Sequence, residues 1–186
     1  NTLIGTAENG HTYPGATSPF GLIQASPETG NDGWKYCSGF NLSDDSIIGF
    51  AQTHLSGTGG PGLGDILLLP FSHDKNSFPY KTKYEKESQV ATAGYYSVVL
   101  PDENIQAEMT TTQRTAFYRF IYKASDEPRQ LLLDLQNGIA GWGKNVNQLV
   151  FSATMQTPNA YTITGYNDIE AWVHRRCFYA IEFDKP

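Results

Sequence analysis

The chain has 186 residues, of which 39% are hydrophobic and 17% charged, so it can form a substantial core and is not intrinsically disordered. Its 13 Lys and Arg against 19 Asp and Glu give a net charge of −6, which argues against a nucleic-acid partner. Its length suits one large all-β domain or two small ones. The sequence contains no apolar run of about 18 residues, so no membrane-spanning segment is predicted.

The first 40 residues are organised mainly by loops. Residues 1–19 are rich in Gly, Pro, Thr and Asn, which is typical of a loop, and His11 and Tyr13 lie within it. A short strand is predicted over 20–26 and a turn over 27–32. A second loop, bracketed by glycines and containing Trp34 and Tyr36, is predicted over 33–40.

The rest of the chain predicts an antiparallel, all-β protein. The polar, Lys-rich residues 72–88 are expected to form a solvated loop, and the Pro-Asp-Glu-Asn segment at 101–104 predicts a hairpin connection. No segment has a helical period, and turn spacing favours a β-sandwich of about ten strands. Strands are predicted over 46–53, 65–71, 94–100, 105–112, 115–123, 129–136, 149–156, 161–166 and 176–183.

The two cysteines, Cys37 and Cys177, fit neither a disulfide framework nor a zinc-ligand spacing. One long-range disulfide between them is an alternative, but two buried unpaired thiols are expected. No signal peptide is recognisable, but we expect the start at Asn1 to be that of a mature or trimmed chain, so this absence says little about compartment. The last predicted strand has no capping element after it, so we expect the domain or a longer protein to continue.

The stretch 49–70 combines a high glycine density with short polar side chains between two predicted strands. Glycine permits positive φ and close approach of a ligand or another chain, which indicates a binding loop. Gly57, Gly59 and Gly62 match G-x-G-x-x-G, but a dinucleotide site requires a helix directly after that loop. An apolar run ending in Pro70 follows instead, so this interpretation is rejected.

The usual catalytic patterns are weak. Ser38 and Ser56 have glycine neighbours but lie in no G-x-S-x-G elbow, and a pairing of Cys37 with His11 or His54 cannot be read from the sequence. The four histidines lack metal-ligand spacing. Asp65 is expected to brace the loop as a hydrogen-bond acceptor, and the carboxylates at 44 and 45 to form a turn.

Loops that carry Trp34, Tyr36, His11 and His54 suit a neutral, polyhydroxylated ligand. Aromatic faces stack on the C–H surfaces of a sugar, while short polar groups and bare backbone bind its hydroxyls. The residues alone therefore predict a sandwich with polar, aromatic, glycine-rich loops in its N-terminal half.

Three stretches, 5–29, 33–50 and 52–70, in this order resemble the N-terminal domain of glycoside hydrolase family 92, the exo-acting α-mannosidases found widely in gut bacteria. The weaker stretches 93–100, 105–120 and 131–138 agree, so the resemblance covers essentially the whole chain. It implies a large antiparallel β-sandwich of the supersandwich, galactose-mutarotase-like type, packed on a C-terminal (α/α)₆ barrel. The enzyme would be bacterial, and periplasmic, secreted or attached to the cell surface.

The resemblance also implies a function. Family members are calcium-dependent and invert at the anomeric carbon, with the general acid, general base and Ca²⁺ ligands in the helical domain, outside this chain. We therefore expect no catalytic residue and no metal ligand here, and no activity from the isolated chain. The ligands would be terminal α-mannosides of N-glycan or mannan type, with α-1,2 linkage favoured. The alternatives are a free-standing carbohydrate-binding module and a purely structural docking domain.

Positions that match the family motifs give the candidate substrate-binding residues. Trp34 would form an aromatic wall near the leaving-group sugar. The chain departs from the family in Ala7-Glu8-Asn9-Gly10-His11, where GGHGH is usual, in Ser38–Asp44, and in Ala51-Gln52-Thr53-His54, where SHTH is usual. These departures remove two histidines and a tyrosine hydroxyl and leave linkage preference open. The other candidates, expected on the domain-facing surface, are His11, Cys37, Ser38, His54, Ser56, Gly57, Thr58 and Gly59.

Overall fold

The computed structural model describes residues 1–72, 80–124, 126, 128–141 and 149–185. Within these ranges the protein is all-β, with two short 3₁₀ turns at Trp34–Tyr36 and Pro101–Glu103 and no α-helix. The described helical turns include none long and apolar enough to cross a membrane. The strands are β1 (Ala16–Thr17), β2 (Gln24–Glu28), β3 (Ser46–Ile47), β4 (Gly49–Ala51), β5 (Leu67–Phe71), β6 (Thr82–Lys83), β7 (Glu85–Thr92), β8 (Tyr95–Leu100), β9 (Ile105–Thr111), β10 (Ala116–Tyr122), β11 (Gln130–Asp134), β12 (Val150–Asn159), β13 (Thr162–Glu170) and β14 (His174–Glu182).

All named strand pairs are antiparallel, which confirms the predicted fold class. One sheet has the order β1-β2-β4-β5-β11 and a second the order β10-β9-β8-β7. Strands β12, β13 and β14 form a third sheet of two long hairpins, and β3 pairs with β6. The first two sheets face each other as a sandwich, because β1 and β2 lie against β8 and β9.

The main core lies between these two sheets. It forms because every second side chain along a strand points inward. Inward side chains of β8 and β9 pair directly across the hairpin, as in Tyr96 with Met109 and Val98 with Ala107. From the facing sheet, Phe50 of β4 lies 6.2 Å from the ring of Phe120 of β10. The buried members of this core are Ala16, Ala25, Phe40, Ile47, Phe50, Tyr84, Tyr96, Val98, Leu100, Ile105, Ala107 and Met109.

The hairpin predicted at 101–104 is confirmed. Pro101–Glu103 form a 3₁₀ turn, and Asn104 takes the left-handed conformation at φ 55° before β9 begins. Asn is one of the few residues besides glycine that tolerate this conformation, which is why the segment reverses the chain.

Two sequence predictions about local structure are wrong. Residues 82–83 and 85–88 of the predicted solvated loop lie in strands instead. Thr82–Lys83 is β6, and Glu85–Thr92, which extends past the end of the predicted loop, is the edge strand β7, whose polar side chains suit a strand with one wet face. Residues 73–79 of that loop lie outside the described residues. The first predicted strand is displaced, since β2 covers Gln24–Glu28 and includes two residues assigned to a turn.

The predicted strand over 46–53 is divided between two sheets. Ser46–Ile47 pairs with β6, whereas Gly49–Ala51 joins the five-stranded sheet between β2 and β5. The chain thus passes from β4 into the glycine-rich region and returns in β5, all five residues of which are buried.

Candidate functional site

The glycine-rich loop, residues 55–62, is an excursion closed at its base by backbone pairing. His54 and Leu63 form an isolated antiparallel bridge, and the Gly64 amide donates to the Thr53 carbonyl at 2.8 Å. Strand β5 follows at Leu67–Phe71, so the helix that a dinucleotide site needs is absent from this described segment and the rejection of that site is confirmed.

Asp65 braces the base of the loop, as predicted. The Thr53 hydroxyl donates to its Oδ2 at 2.8 Å, and Arg175 Nη2 donates to Oδ1 and Oδ2 at 2.6 and 2.9 Å. Arg175 lies in β14, so this buried carboxylate ties the third sheet to the glycine-rich loop.

Trp34 and His11 form an aromatic pair in which one ring is exposed and the other is buried with an unsatisfied nitrogen. The Trp34 side chain is 54% exposed, and its ring stands edge-on to the His11 ring at 4.7 Å between centroids. Gly59 lies against the same indole, because a Cβ there would come within 3.1 Å of Trp34 Cη2. His11 is only 6% exposed, and its Nε2 has no hydrogen-bond partner in the described structure.

The backbone of His11 is the point at which three segments meet. Its φ of 52° is in the left-handed region, and its carbonyl accepts hydrogen bonds from the Gly57 amide at 2.5 Å and from the Ser38 hydroxyl. Ser38 is fully occupied in this bracing and is buried. The structure therefore places Ser38 and Gly57 as supports that fix His11 beside Trp34.

A small cleft opens beside Trp34. It has a volume of about 180 Å³ and is lined by Gly33, Trp34, Cys37, Pro61 and Gly141. Both cysteines are free, which confirms the predicted unpaired thiols, although only Cys37 is fully buried. Burial raises the pKa of the Cys37 thiol, which keeps it neutral and unsuited to act as a nucleophile.

Ser56 and Thr58 lie at the exposed tip of the loop. The Thr58 hydroxyl donates to the Gly60 carbonyl and accepts from the Gly60 amide, both at 3.2 Å, which makes a local turn. Both residues are exposed, so they form the exposed edge of the same loop.

His54 is placed behind the loop, not on its surface. Its side chain is fully buried, with Nδ1 2.7 Å from the Gln24 carbonyl and Nε2 3.2 Å from Glu28 Oε1. The distance of 3.2 Å between Nε2 and Oε1 is within ion-pair range, but the two atoms are not aligned for a hydrogen bond. Neither atom therefore has a hydrogen-bond partner. Sequence reasoning missed Glu28, because that residue was assigned to a turn.

Trp172 is the second residue that sequence reasoning missed. It lies between β13 and β14, is 67% exposed, and borders the glycine-rich loop at Gly60 and Gly62, whereas Trp34 borders it at Gly59. A Cβ at Gly60 would lie 3.0 Å from Trp172 Cζ2, so the indole packs closely on the backbone of the loop. A lone Trp between two predicted strands was the only available signal.

Among the described residues, no group of three His, Cys, Asp or Glu side chains could hold a metal ion. The carboxylates nearest the site, Glu28 and Asp65, are buried and engaged by His54, Asn137 and Arg175. The described residues therefore do not fit a calcium site.

The sequence was compared with models of known protein families. The model of the glycosyl hydrolase family 92 N-terminal domain matches residues 1–186. The chain belongs to this family. The resemblance drawn from the glycine-rich and aromatic stretches is thereby confirmed.

Solved family 92 structures share the fold across the whole chain. A family 92 alpha-mannosidase of Bacteroides thetaiotaomicron is 32% identical with a TM-score of 0.91, covering all of this chain and 25% of that one. The same enzyme in complex with mannoimidazole is 33% identical, with a TM-score of 0.90 and the same coverage. A family 92 inverting mannosidase of B. thetaiotaomicron, 17% identical with a TM-score of 0.70, supports the fold alone.

An uncharacterized secreted glycosidase of Arthroderma benhamiae is 35% identical over 128 residues, which are 63% of this chain and 16% of that protein. The 186-residue chain thus spans 25% of the length of the B. thetaiotaomicron alpha-mannosidase and 16% of the length of the A. benhamiae protein.

Proposed function

We propose that this domain shapes the sugar pocket of an α-mannosidase that hydrolyses terminal α-mannosides. The observation that carries the proposal is the exposed Trp34 ring beside the buried, unpartnered Nε2 of His11, held together by the glycine-rich loop. The relative solved with mannoimidazole, a compound named for mannose, supports the substrate class.

The geometry suits a sugar ring. An exposed indole face stacks on sugar C–H groups, and an imidazole nitrogen that lacks a partner gains one from a hydroxyl. Gly33, Pro61 and Gly141 keep the cleft beside Trp34 free of long side chains. We propose Trp34 as the wall for the leaving-group sugar, with His11 as a hydroxyl contact and with Ser56, Thr58 and Gly59 at the loop's ligand-facing edge.

Catalysis is proposed to lie outside this chain. An inverting glycosidase needs two carboxyl groups roughly 6.5–9.5 Å apart across a water molecule. Glu28 and Asp65 are buried and engaged, which makes them unsuited to that role. We propose that the acid, the base and a Ca²⁺ site belong to a C-terminal helical barrel of the same protein, and that the isolated chain is inactive.

Two finer points belong to the same proposal. The linkage is proposed to be α-1,2 in N-glycans or mannan. The enzyme is proposed to act outside the cytoplasm, in the periplasm or as a secreted or cell-surface protein of a bacterium, and the secreted A. benhamiae relative supports export.

The experiment compares two substrates in an enzyme that carries this domain. If Trp34 stacks on the leaving-group sugar, Trp34→Ala should lower kcat/KM on α-1,2-mannobiose by about two- to tenfold, since an aromatic contact contributes roughly 0.5–1.5 kcal/mol. It should leave α-mannosyl fluoride, which has no leaving-group sugar, almost unchanged. Phe117→Ala, an exposed aromatic on β10, is the matched control. Equal losses on both substrates would contradict the proposed role.

The free-standing carbohydrate-binding module is kept as a second candidate because Trp34 and Trp172 are both exposed beside the glycine-rich loop. It predicts that the 186-residue chain binds mannosides by itself, with binding lost in Trp34→Ala or Trp172→Ala. Calorimetry with mannobiose decides: measurable affinity favours the module, and no affinity favours a pocket completed by another domain.

A further inference from the structure

Glu28 and His54 form a buried pair that sugar binding does not explain. Glu28 ends β2, and His54 is the residue directly before the glycine-rich loop. Both side chains have zero exposure, and Nε2 lies 3.2 Å from Oε1. Neither atom has an aligned hydrogen-bond partner, so the Nε2–Oε1 ion-pair contact is the polar contact that each of them makes.

The neighbours of the pair determine where its hydrogens lie. A backbone carbonyl only accepts, so His54 Nδ1 must donate to the Gln24 oxygen at 2.7 Å. Glu28 Oε2 accepts from the Asn137 side-chain amide at 2.9 Å. The remaining contact joins Nε2 and Oε1. Without a proton it would place a nitrogen lone pair against a carboxylate oxygen in a dry interior, with no donor for either.

We infer that Glu28 and His54 hold one buried proton as an imidazolium–carboxylate pair, and that this pair positions the glycine-rich loop against Trp34. Both claims, the buried proton and the positioning of the loop, concern the folded chain alone. Any effect of the pair on sugar binding rests on the proposed function.

The pair is linked to both ends of the loop. His54 bridges to Leu63 at the loop's base, and the Asn137 amide that binds Glu28 also donates to the Gly64 carbonyl at 2.7 Å. A Cβ at Gly64 would lie 2.7 Å from Glu28 Oε1. The fit is therefore tight, and repulsion between Nε2 and Oε1 would be transmitted directly to the base of the loop.

The other titratable groups around Glu28 and His54 carry no free charge that could balance either member of the pair. Tyr13 lies 5.3 Å from the His54 ring, and Cys37 precedes Gly39, which contacts both members. Burial raises the pKa of the Tyr13 phenol and of the Cys37 thiol, which keeps both neutral near pH 7. Asp65, next to Gly64, is already paired with Arg175.

The test is ¹⁵N NMR of the histidine rings in the 186-residue chain at pH 8, where an imidazole in a model peptide is mostly neutral. We expect both His54 nitrogens to give the shifts of a protonated imidazolium. In Glu28→Gln the side-chain amide can donate to a bare Nε2, so His54 should become the neutral tautomer protonated at Nδ1 while the chain stays folded. Glu108→Gln, on the outer face of β9, should leave the His54 signals unchanged.

The positioning half has its own readout, the Trp34 indole N–H signal, which Trp34→Phe assigns. At pH 8 this signal should shift in Glu28→Gln and stay in place in Glu108→Gln. A bare Nε2 in the wild type at pH 8 would overturn the imidazolium–carboxylate pair. A Trp34 signal that is unchanged in Glu28→Gln would overturn the positioning role. No sugar is present, so failure of either differs from failure of the proposed function.

Discussion

At the scale of single residues, Gly39 shows how closely the site is packed. Its φ of 74° is in the left-handed region, and a Cβ there would lie 2.7 Å from Glu28 Cγ and 3.2 Å from His54 Cδ2. Glycine is therefore required at this position twice, once for its backbone conformation and once for the space that the buried pair occupies.

We predict that Gly39→Ala destabilises the chain more than Gly57→Ala does. Gly57 has a similar φ of 69°, but a Cβ there meets nothing within 4 Å. The control thus carries only the conformational cost of roughly 1–2 kcal/mol, whereas Gly39→Ala adds an overpacking cost of about 1–3 kcal/mol. Urea unfolding measures both, and equal losses would show that the space beside Glu28 can relax.

Arg175 offers a second test at this scale. Arg175→Ala leaves the buried Asp65 carboxylate with only the Thr53 hydroxyl as a described side-chain donor. Removing one partner of a buried pair costs about 3–5 kcal/mol, while Arg114→Ala, an exposed residue between β9 and β10, should cost under about 0.5 kcal/mol. Thermal unfolding of the two variants checks the contrast, and similar Tm values would contradict the bracing role of Asp65.

At the scale of elements, alternation determines the sandwich core. Met109 is buried between the sheets, and its neighbour Thr110 points outward from the same strand. We predict a loss of about 2–5 kcal/mol for Met109→Ala and under about 0.5 kcal/mol for Thr110→Ala. Chemical denaturation gives both values, and a small loss for Met109→Ala would place the core elsewhere.

The same scale shows what sequence could and could not predict. Strands β8, β9 and β10 were predictable because apolar residues alternate along them, and the 101–104 turn has the residues that its backbone requires. Strand β7 was missed because it lies at the edge of its sheet and its charged side chains are exposed to solvent, so its sequence resembles that of a loop. Trp34 and the loop glycines were recognisable from composition, but Glu28 and Trp172 join the site only through contacts distant in sequence.

At the scale of the whole molecule, buried phenols link stability to pH. Burial raises the pKa of Tyr96, Tyr118 and Tyr122, that of Tyr122 to about 12. An unfolded tyrosine ionises near pH 10, so the stabilisation is complete below about pH 10 and is lost as pH rises towards about 12. We predict a falling Tm across this window.

Tyr122→Phe should flatten that fall even though it loses the hydrogen bond to the Gln130 carbonyl and lowers Tm at neutral pH. Tyr161→Phe, at an exposed position, should leave the slope as it is. The measurement is Tm against pH for the three chains, and a slope unchanged by Tyr122→Phe would assign the alkaline loss to other groups.

The bonds that hold the site together also decide when it forms. Arg175 and Asp65 are 110 residues apart, Asn137 and Glu28 are 109 apart, and Asn137 and Asn31 are 106 apart. Closing such long loops is slow, because their entropy is lost before any contact repays it. During synthesis the glycine-rich loop emerges early yet cannot be fixed until residue 175 has followed it. The sandwich core can assemble first, and the surface around Trp34 and the glycine-rich loop is then among the last parts of the domain to reach its final shape.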